Sequence, residues 1–420
     1  MYNLHSLRET AFTFPAIDNH AHPLLKAQHR GKFPLDAVIS EAEGPASKDA
    51  TQTLACFRAA TQLADILQVE KEPRDSLWER VKEKRDVMDY NELCDMFMKR
   101  CGIRSILLDD GLGQPELVED WKWHRRFGCD TKRVVRVEIE AEKLLRPLLE
   151  SLLEQVDLDP DTVLYPALVK FFNQLYTSLT TSARDTEVVA FKSIICYRGG
   201  LNIRPRSLLG ISKTNTGHHY DVVLSNLLEI IHEFQEEGRL RLAHGAINEW
   251  IVHWALRVAG ENDIPVQFHT GLGDNDISLV HASPAYMQPV IKDYPQTTFV
   301  LLHSSYPYTK EAGYLSAVYA NVVLDFGEIF PFVSGPGQRQ IIRQVLDLCP
   351  TNKILWSTDG HWHPESFYLG TIQARQALYD VLSDIVSAGE LTEAQAVRVV
   401  QNALFWNSDS VYKLGLKPDI

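Results

Sequence analysis

Short apolar runs rich in β-branched and aromatic residues alternate along the chain with longer stretches whose apolar positions recur every three to four residues. The short runs are Phe14 to Asp18, Ile103 to Leu108, Val134 to Ile139, Val188 to Tyr197, Val266 to His269, Thr298 to His303, Val322 to Phe326 and Ile354 to Ser357. Between them the helical period is clear, as in Asn248 to Glu261, where Ile251, Ala255 and Val258 share one face. Nearly continuous apolar strands separated by helices predict a parallel sheet covered by helices. Eight of them predict closure into a (β/α)8 barrel. Two stretches exceed the minimal repeat, near 35–100 after the first strand and 144–184 after the third, and both read as helical insertions. Leu391 to Tyr412 reads as a terminal helical clasp, and no linker divides the chain, so residues 1–420 are expected to form one elaborated barrel.

Composition narrows the partners. Fifty-five acidic against 42 basic residues give a formal charge of -13, which argues against a nucleic-acid partner. The six cysteines are scattered with no CxxC spacing, which excludes a zinc knot or a disulfide framework and predicts reduced, mostly buried thiols. Residues 1–30 lack a secretory pattern and no run of about 18 apolar residues follows. A cytoplasmic enzyme with a small-molecule substrate and no membrane partner is expected. A homo-oligomer remains an open option.

The chemistry sits at the ends of the predicted strands. In Asp18-Asn19-His20-Ala21-His22, strand alternation turns His20 and His22 to the same side, where two imidazoles can share a cation. His269, His303 and Asp359 each end another apolar strand, at the carboxyl face where barrels of this class build their sites. Neutral imidazole and carboxylate suit a divalent metal, zinc foremost and manganese as the alternative. Asp109 to Gly113 lacks the spacing of an EF-hand or phosphate loop and reads as the loop after strand two. Glu138 and Glu140 share parity on the predicted third strand, where one could meet a substrate ammonium, and pairing with Arg136 or a helix residue is the favoured alternative.

With HxH on strand one, Lys192 on strand four, His269 and His303 on strands five and six and Asp359 on strand eight, the chain resembles the amidohydrolase superfamily. The stretches Phe191-Lys192-Ser193, His269 to Asp274 and Asp359 to Glu365 are similar to the FluG-like branch of the amidohydrolase-2 group. In that branch a glutamine-synthetase-like domain often follows the barrel, and the resemblance here covers the amidohydrolase portion alone, which implies no ligase activity. The resemblance implies hydrolysis of an amide bond, with a γ-glutamyl amide as a candidate, although relatives in the group include decarboxylases. It also leaves two states for Lys192: a carbamate bridging two cations with His303 as a ligand, or a plain ammonium near Asp359 or the substrate carboxylate, with one cation bound and His303 free for acid–base work. The ligand set is then His20, His22, His269 and Asp359, with Lys192 and His303 joining if two ions bind.

The expected reaction is hydrolysis by metal-activated water, with Asp359 and His303 moving protons. Nonoxidative decarboxylation of a small carboxylic acid is the alternative, and a non-catalytic regulatory barrel the third reading. Arg198 and Arg204 are candidates for a substrate carboxylate. His361 and His363 are candidates for substrate contact or for orienting Asp359.

Overall fold

The computed structural model describes residues 4–155, 157–208 and 217–418. Eight strands form one parallel sheet in sequence order. They are β1 (Ala16–Ala21), β2 (Ile103–Asp109), β3 (Asp130–Arg136), β4 (Val188–Ser193), β5 (Val266–Phe268), β6 (Phe299–Leu301), β7 (Val322–Asp325) and β8 (Ile354–Leu355). Backbone bonds from Asn19 N to Trp356 O (3.3 Å), Asp359 N to His20 O (3.0 Å) and His22 N to Gly360 O (2.8 Å) bring the segment after β8 back onto β1, so the barrel closes. Each predicted strand overlaps an observed one.

The third and fourth strands differ in their bounds. The third ends at Arg136, and Val137–Leu153 is a helix, so Glu138 and Glu140 stand in its first turn and not on a strand. Two features favour that helix. Val137, Ala141, Leu145 and Leu149 repeat at four-residue spacing and are buried, and the two carboxylates lie at the positive end of the helix dipole. Glu138 accepts from Ser193 Oγ (2.6 Å) and Glu140 from Ser178 Oγ (2.6 Å), while Arg136 turns to Asp109. The fourth strand stops at Ser193, whose hydroxyl takes the Ile195 amide and turns the chain toward the barrel mouth.

Both long stretches are helical. Leu54–Leu67, Leu77–Asp86 and Tyr90–Met98 build a separate apolar cluster against Ile106, Leu108 and Phe367, and Val137–Leu153 and Tyr165–Arg184 follow β3. The barrel interior is filled by Leu107, Val134, Ala190, Val300, Leu302, Val323 and Leu355. Tyr412, from the helix Asn407–Tyr412, joins this interior layer from the strand-start end. That helix ends the clasp read from the sequence, whose first helix begins in a Thr392–Gln395 capping box. All six cysteines are buried and unbridged. Among the described residues no helix is long and apolar enough to cross a membrane.

Candidate metal centre

The carboxyl ends of the strands open into a cavity of about 650 Å³ lined in part by His22, His269, His303, Asp359, Lys192 and Glu328. Two groups of ligand-type side chains converge there: His20, His22 and Asp359, and His269, His303 and Glu328. In the first, Asp359 Oδ1 lies 3.3 Å from Nε2 of both His20 and His22. The hydrogens of the imidazoles are held on the far side. His22 Nδ1 donates to the Asp109 carbonyl (2.9 Å), and His20 Nδ1 meets Gln267 Oε1 (2.9 Å). Both Nε2 lone pairs therefore point to the Asp359 side.

In the second group His269 donates from Nε2 to the Leu272 carbonyl (2.8 Å), which leaves Nδ1 for the cavity. His303 Nδ1 stands 3.3 Å from Glu328 Oε2. The backbone is unusual here: His303, Ser304, Ser305 and Glu328 have φ of 70°, 54°, 49° and 60°. Together with Asp359 (φ 50°) and Trp362 (φ 56°), six non-glycine residues in the left-handed region store strain at the mouth of the barrel. Asp325 steadies the turn, accepting from the amides of His303 (3.2 Å) and Gly327 (3.0 Å) and from Ser357 Oγ (2.9 Å).

Burial sets the charge states. It drives His20 down to about 4, with Lys192 adding to the effect, and holds His269 and His303 well below the ordinary histidine value. It also lowers Lys192 to about 8 and raises Glu328 well above the ordinary carboxylate range, helped by Asp359. Burial opposes the charge of Asp359 as well, but the imidazoles of His303, His20 and His22 outweigh it and hold this carboxyl well below its usual value. Neutral imidazoles beside an ionised carboxylate are in the protonation state that binds a cation.

A divalent cation fits this donor set. Asp359 Oδ1, Glu328 Oε2 and both nitrogens of His303 are buried with no hydrogen-bond partner among the described residues. Buried polar atoms of this kind are costly unless a ligand completes them. Nitrogen and oxygen donors suit zinc or manganese. Lys192 is fully enclosed with Nζ 3.0 Å from His20 Nε2.

The remaining candidates divide. Arg198 reaches the cavity, and its Nη1 is buried without a hydrogen bond, 3.6 Å from Glu142. His361 also lines it and donates from Nδ1 to the Asp359 carbonyl (2.9 Å). Arg204 and His363 are not brought into the cavity lining. Arg204 is ion-paired with Glu249 (2.7 Å), and His363 Nδ1 takes an Arg85 guanidinium hydrogen (2.9 Å) beside the Arg85–Glu365 pair (2.6 Å). Each has its polar group engaged by a residue remote in sequence. Glu328 was not among the candidates read from the sequence, although a lone carboxylate in Phe326-Gly327-Glu328-Ile329-Phe330, just past an apolar strand, was a usable signal.

The fold and the cluster at its mouth define a barrel of the metal-dependent hydrolase kind. Residues 240–399 match the family model described as Amidohydrolase. Over 433 aligned positions the chain is 39% identical to Protein fluG of Emericella nidulans, covering 100% of this chain and 48% of that protein. The chain is a FluG-like member of the amidohydrolase-2 group, and it spans about half the length of that curated relative. Among solved structures it is similar to a protein assigned as a metal-dependent hydrolase from Lactobacillus casei (21% identity, 97% of each chain, TM-score 0.75). It is also similar to uronate isomerases from Thermotoga maritima (14%, 97% of each chain, 0.61) and Bacillus halodurans (13%, 98% of this chain and 96% of that one, 0.58). These likenesses establish the fold.

Proposed function

We propose that the protein is a metal-dependent hydrolase that cleaves an amide bond of a small carboxylate-bearing substrate, with a γ-glutamyl amide as the leading candidate. The observation that carries this reading is the set of buried polar atoms without a hydrogen-bond partner among the described residues, Asp359 Oδ1, Glu328 Oε2 and the His303 nitrogens, gathered with His20, His22 and His269. His20, His22, His269 and Asp359 would hold the cation, with His303 and Glu328 available to a second ion. When bound, such a cation supplies positive charge for water activation and carbonyl polarisation.

The chain's own groups do the rest. Asp359, held ionised, accepts a proton from the attacking water and returns it to the departing nitrogen, while neutral His303 polarises the substrate carbonyl. Arg198 has a guanidinium hydrogen to spare and orients the substrate carboxylate. His361 fixes the Asp359 backbone from behind. The test is release of ammonia or amine from γ-glutamyl amides by protein loaded with zinc or manganese. Carbon dioxide release from a carboxylic acid with no amine release would replace this reading with decarboxylation. Neither product, with cation-dependent melting, would leave a non-catalytic barrel.

A further inference from the structure

Most charged side chains that line the cavity are already paired within the protein. Arg136 is held by Asp109 (2.7 Å), Arg241 by Asp276 (2.7 Å) and Asp36 by Lys82 (3.2 Å), while Lys192 is turned to His20. On the cationic side Arg198 is left over. Its Nη1 is buried with no hydrogen bond, and Glu142 Oε1, 3.6 Å away, already takes the Leu242 amide (2.9 Å). Asn248 Nδ2 donates to the Arg198 carbonyl (3.0 Å), which fixes the backbone under this guanidinium. On the acidic side the remainder is Glu41, with Glu43 and Asp274 near it. Glu41 lines the cavity and makes no hydrogen bond and no ion pair among the described residues.

Glu41 reaches the cavity from the insertion after β1. Leu35, Val38 and Ile39 are buried in the apolar cluster of the inserted helices, and Asp36 also accepts from Trp78 Nε1 (3.0 Å) on Leu77–Asp86. That anchor ends just before Glu41 and holds the segment over the barrel mouth. Burial lifts the Glu41 carboxyl to about 7, and the charges of Asp359, Asp274 and Glu43 add to this against His361. A cation brought by a ligand would relieve both costs. Burial also raises the phenol of Tyr197, the residue before Arg198, and Glu328 and Glu41 add to it, so Glu41 and the Arg198 turn share one part of the cavity. We propose that Glu41 is a specificity-determining residue that binds the ammonium of a substrate whose carboxylate Arg198 binds. The acyl half of the amide is then a free amino-acid head. A dicarboxylic half-amide without the ammonium would leave Glu41 uncompensated. The place of the scissile bond rests on the hydrolase reading; binding of the head group does not.

The test uses the whole zinc-loaded chain and two probes that differ by one ammonium, L-glutamate and glutarate. Their affinities are read by isothermal calorimetry for the natural chain and for Glu41→Gln. The natural chain is expected to bind glutamate about 10–100-fold more tightly than glutarate, the scale of one hydrogen bond between charged groups. In Glu41→Gln that preference is expected to fall about tenfold or more, with glutarate affinity little changed. A natural chain that binds neither probe, or both equally, would overturn the proposal, and so would a preference that Glu41→Gln reduces less than about threefold. The Glu41 side chain has no bond to the protein to lose, and should Glu41→Gln nevertheless not fold, Glu41→Ala carries the same expectation. Amide hydrolysis is scored separately, as amine release from γ-glutamyl and glutaryl p-nitroanilides. No release from either, with the glutamate preference present and lost in Glu41→Gln, would overturn the hydrolase reading and leave the Glu41 assignment standing. Equal release from both, unchanged in Glu41→Gln, would overturn the assignment and leave hydrolysis.

Discussion

The two groups of ligand-type residues at the mouth of the barrel are built by opposite means. His20 and His22 stand on or just past β1, with their outer nitrogens committed to Gln267 and the Asp109 carbonyl. His303 and Glu328 stand on strained turns, and their facing nitrogen and oxygen atoms have no hydrogen-bond partner. The two histidines of the first group are oriented before any ligand arrives, because their outer hydrogen bonds are already made. The second holds neutral imidazoles and a carboxyl whose ionisation burial disfavours, in a backbone the surrounding turn must pin. One side is prepared to hold charge and the other to stay neutral.

Asp359→Asn cuts deepest into that contrast, because it keeps the shape of the oriented side and removes its base. Turnover is expected to fall about 10³-fold, within the range for loss of a general base, while bound cation falls much less. Steady-state rates set beside metal analysis give the comparison, and near-normal turnover would take proton transfer away from Asp359.

On the strained side, Glu328→Gln removes a buried carboxyl that has no hydrogen-bond partner on Oε2. Turnover is expected to drop about 10–100-fold, the scale of a lost ligand-orienting or acid–base group. The metal-free protein is expected to melt near the temperature of the natural chain, since burial already holds this carboxyl neutral and the substitution removes no charge. A lower melting temperature would mean that Glu328 is paired and not strained.

The oriented side also depends on a neutral histidine beneath it. His124 Nε2 accepts the Leu24 amide (3.0 Å), just past His22, and burial pushes this imidazole down to about 4. The unfolded chain titrates near 6.5 and so binds the proton first. Stability from this group is full above that value and is lost as pH falls toward about 4. Between about pH 7 and about pH 5 the loss is about 2 kcal/mol, and His124→Gln should flatten that part of the profile. Urea midpoints at the two pH values decide it, and equal slopes in both proteins would discard His124 as the source.

The mildest effects separate two arginines. Arg198→Gln should raise KM about tenfold through loss of a charge-assisted bond to the substrate carboxylate. Arg204→Gln should leave kcat/KM within about twofold, since its partner Glu249 lies outside the cavity lining and a half-exposed pair contributes little. A large KM effect at Arg204 would move the substrate site.

What could be read from the sequence followed from locality. His20, His22, His269, His303 and Asp359 were visible because each follows an apolar strand whose burial fixes where its end must lie. The third strand's end was misjudged because Val134 to Ile139 is one apolar run across a strand and a helix, and short windows do not separate the two periods. Glu328 escaped because a turn at φ 60° carries it inward, which no period encodes. That turn also needs Gly327, where a Cβ would collide with Ser357 Oγ. The engagement of Arg204 and His363 elsewhere depends on Glu249 and Arg85, at separations of 45 and 278 residues, and nothing local announces such partners.

The closure of the ring has a consequence for durability. Its bonds join segments 340 residues apart, and His20 and Asp359 contribute to it twice, by a backbone bond and by their facing side chains. Bringing such distant segments together costs chain entropy, and a barrel parted there would present two unpaired strand edges. A ligand gripping His20, His22 and Asp359 together would act as a latch across that joint. Resistance to proteases would then track how fully the latch is engaged, so a lifetime in the presence of protease would serve as a gauge of occupancy without any substrate in hand.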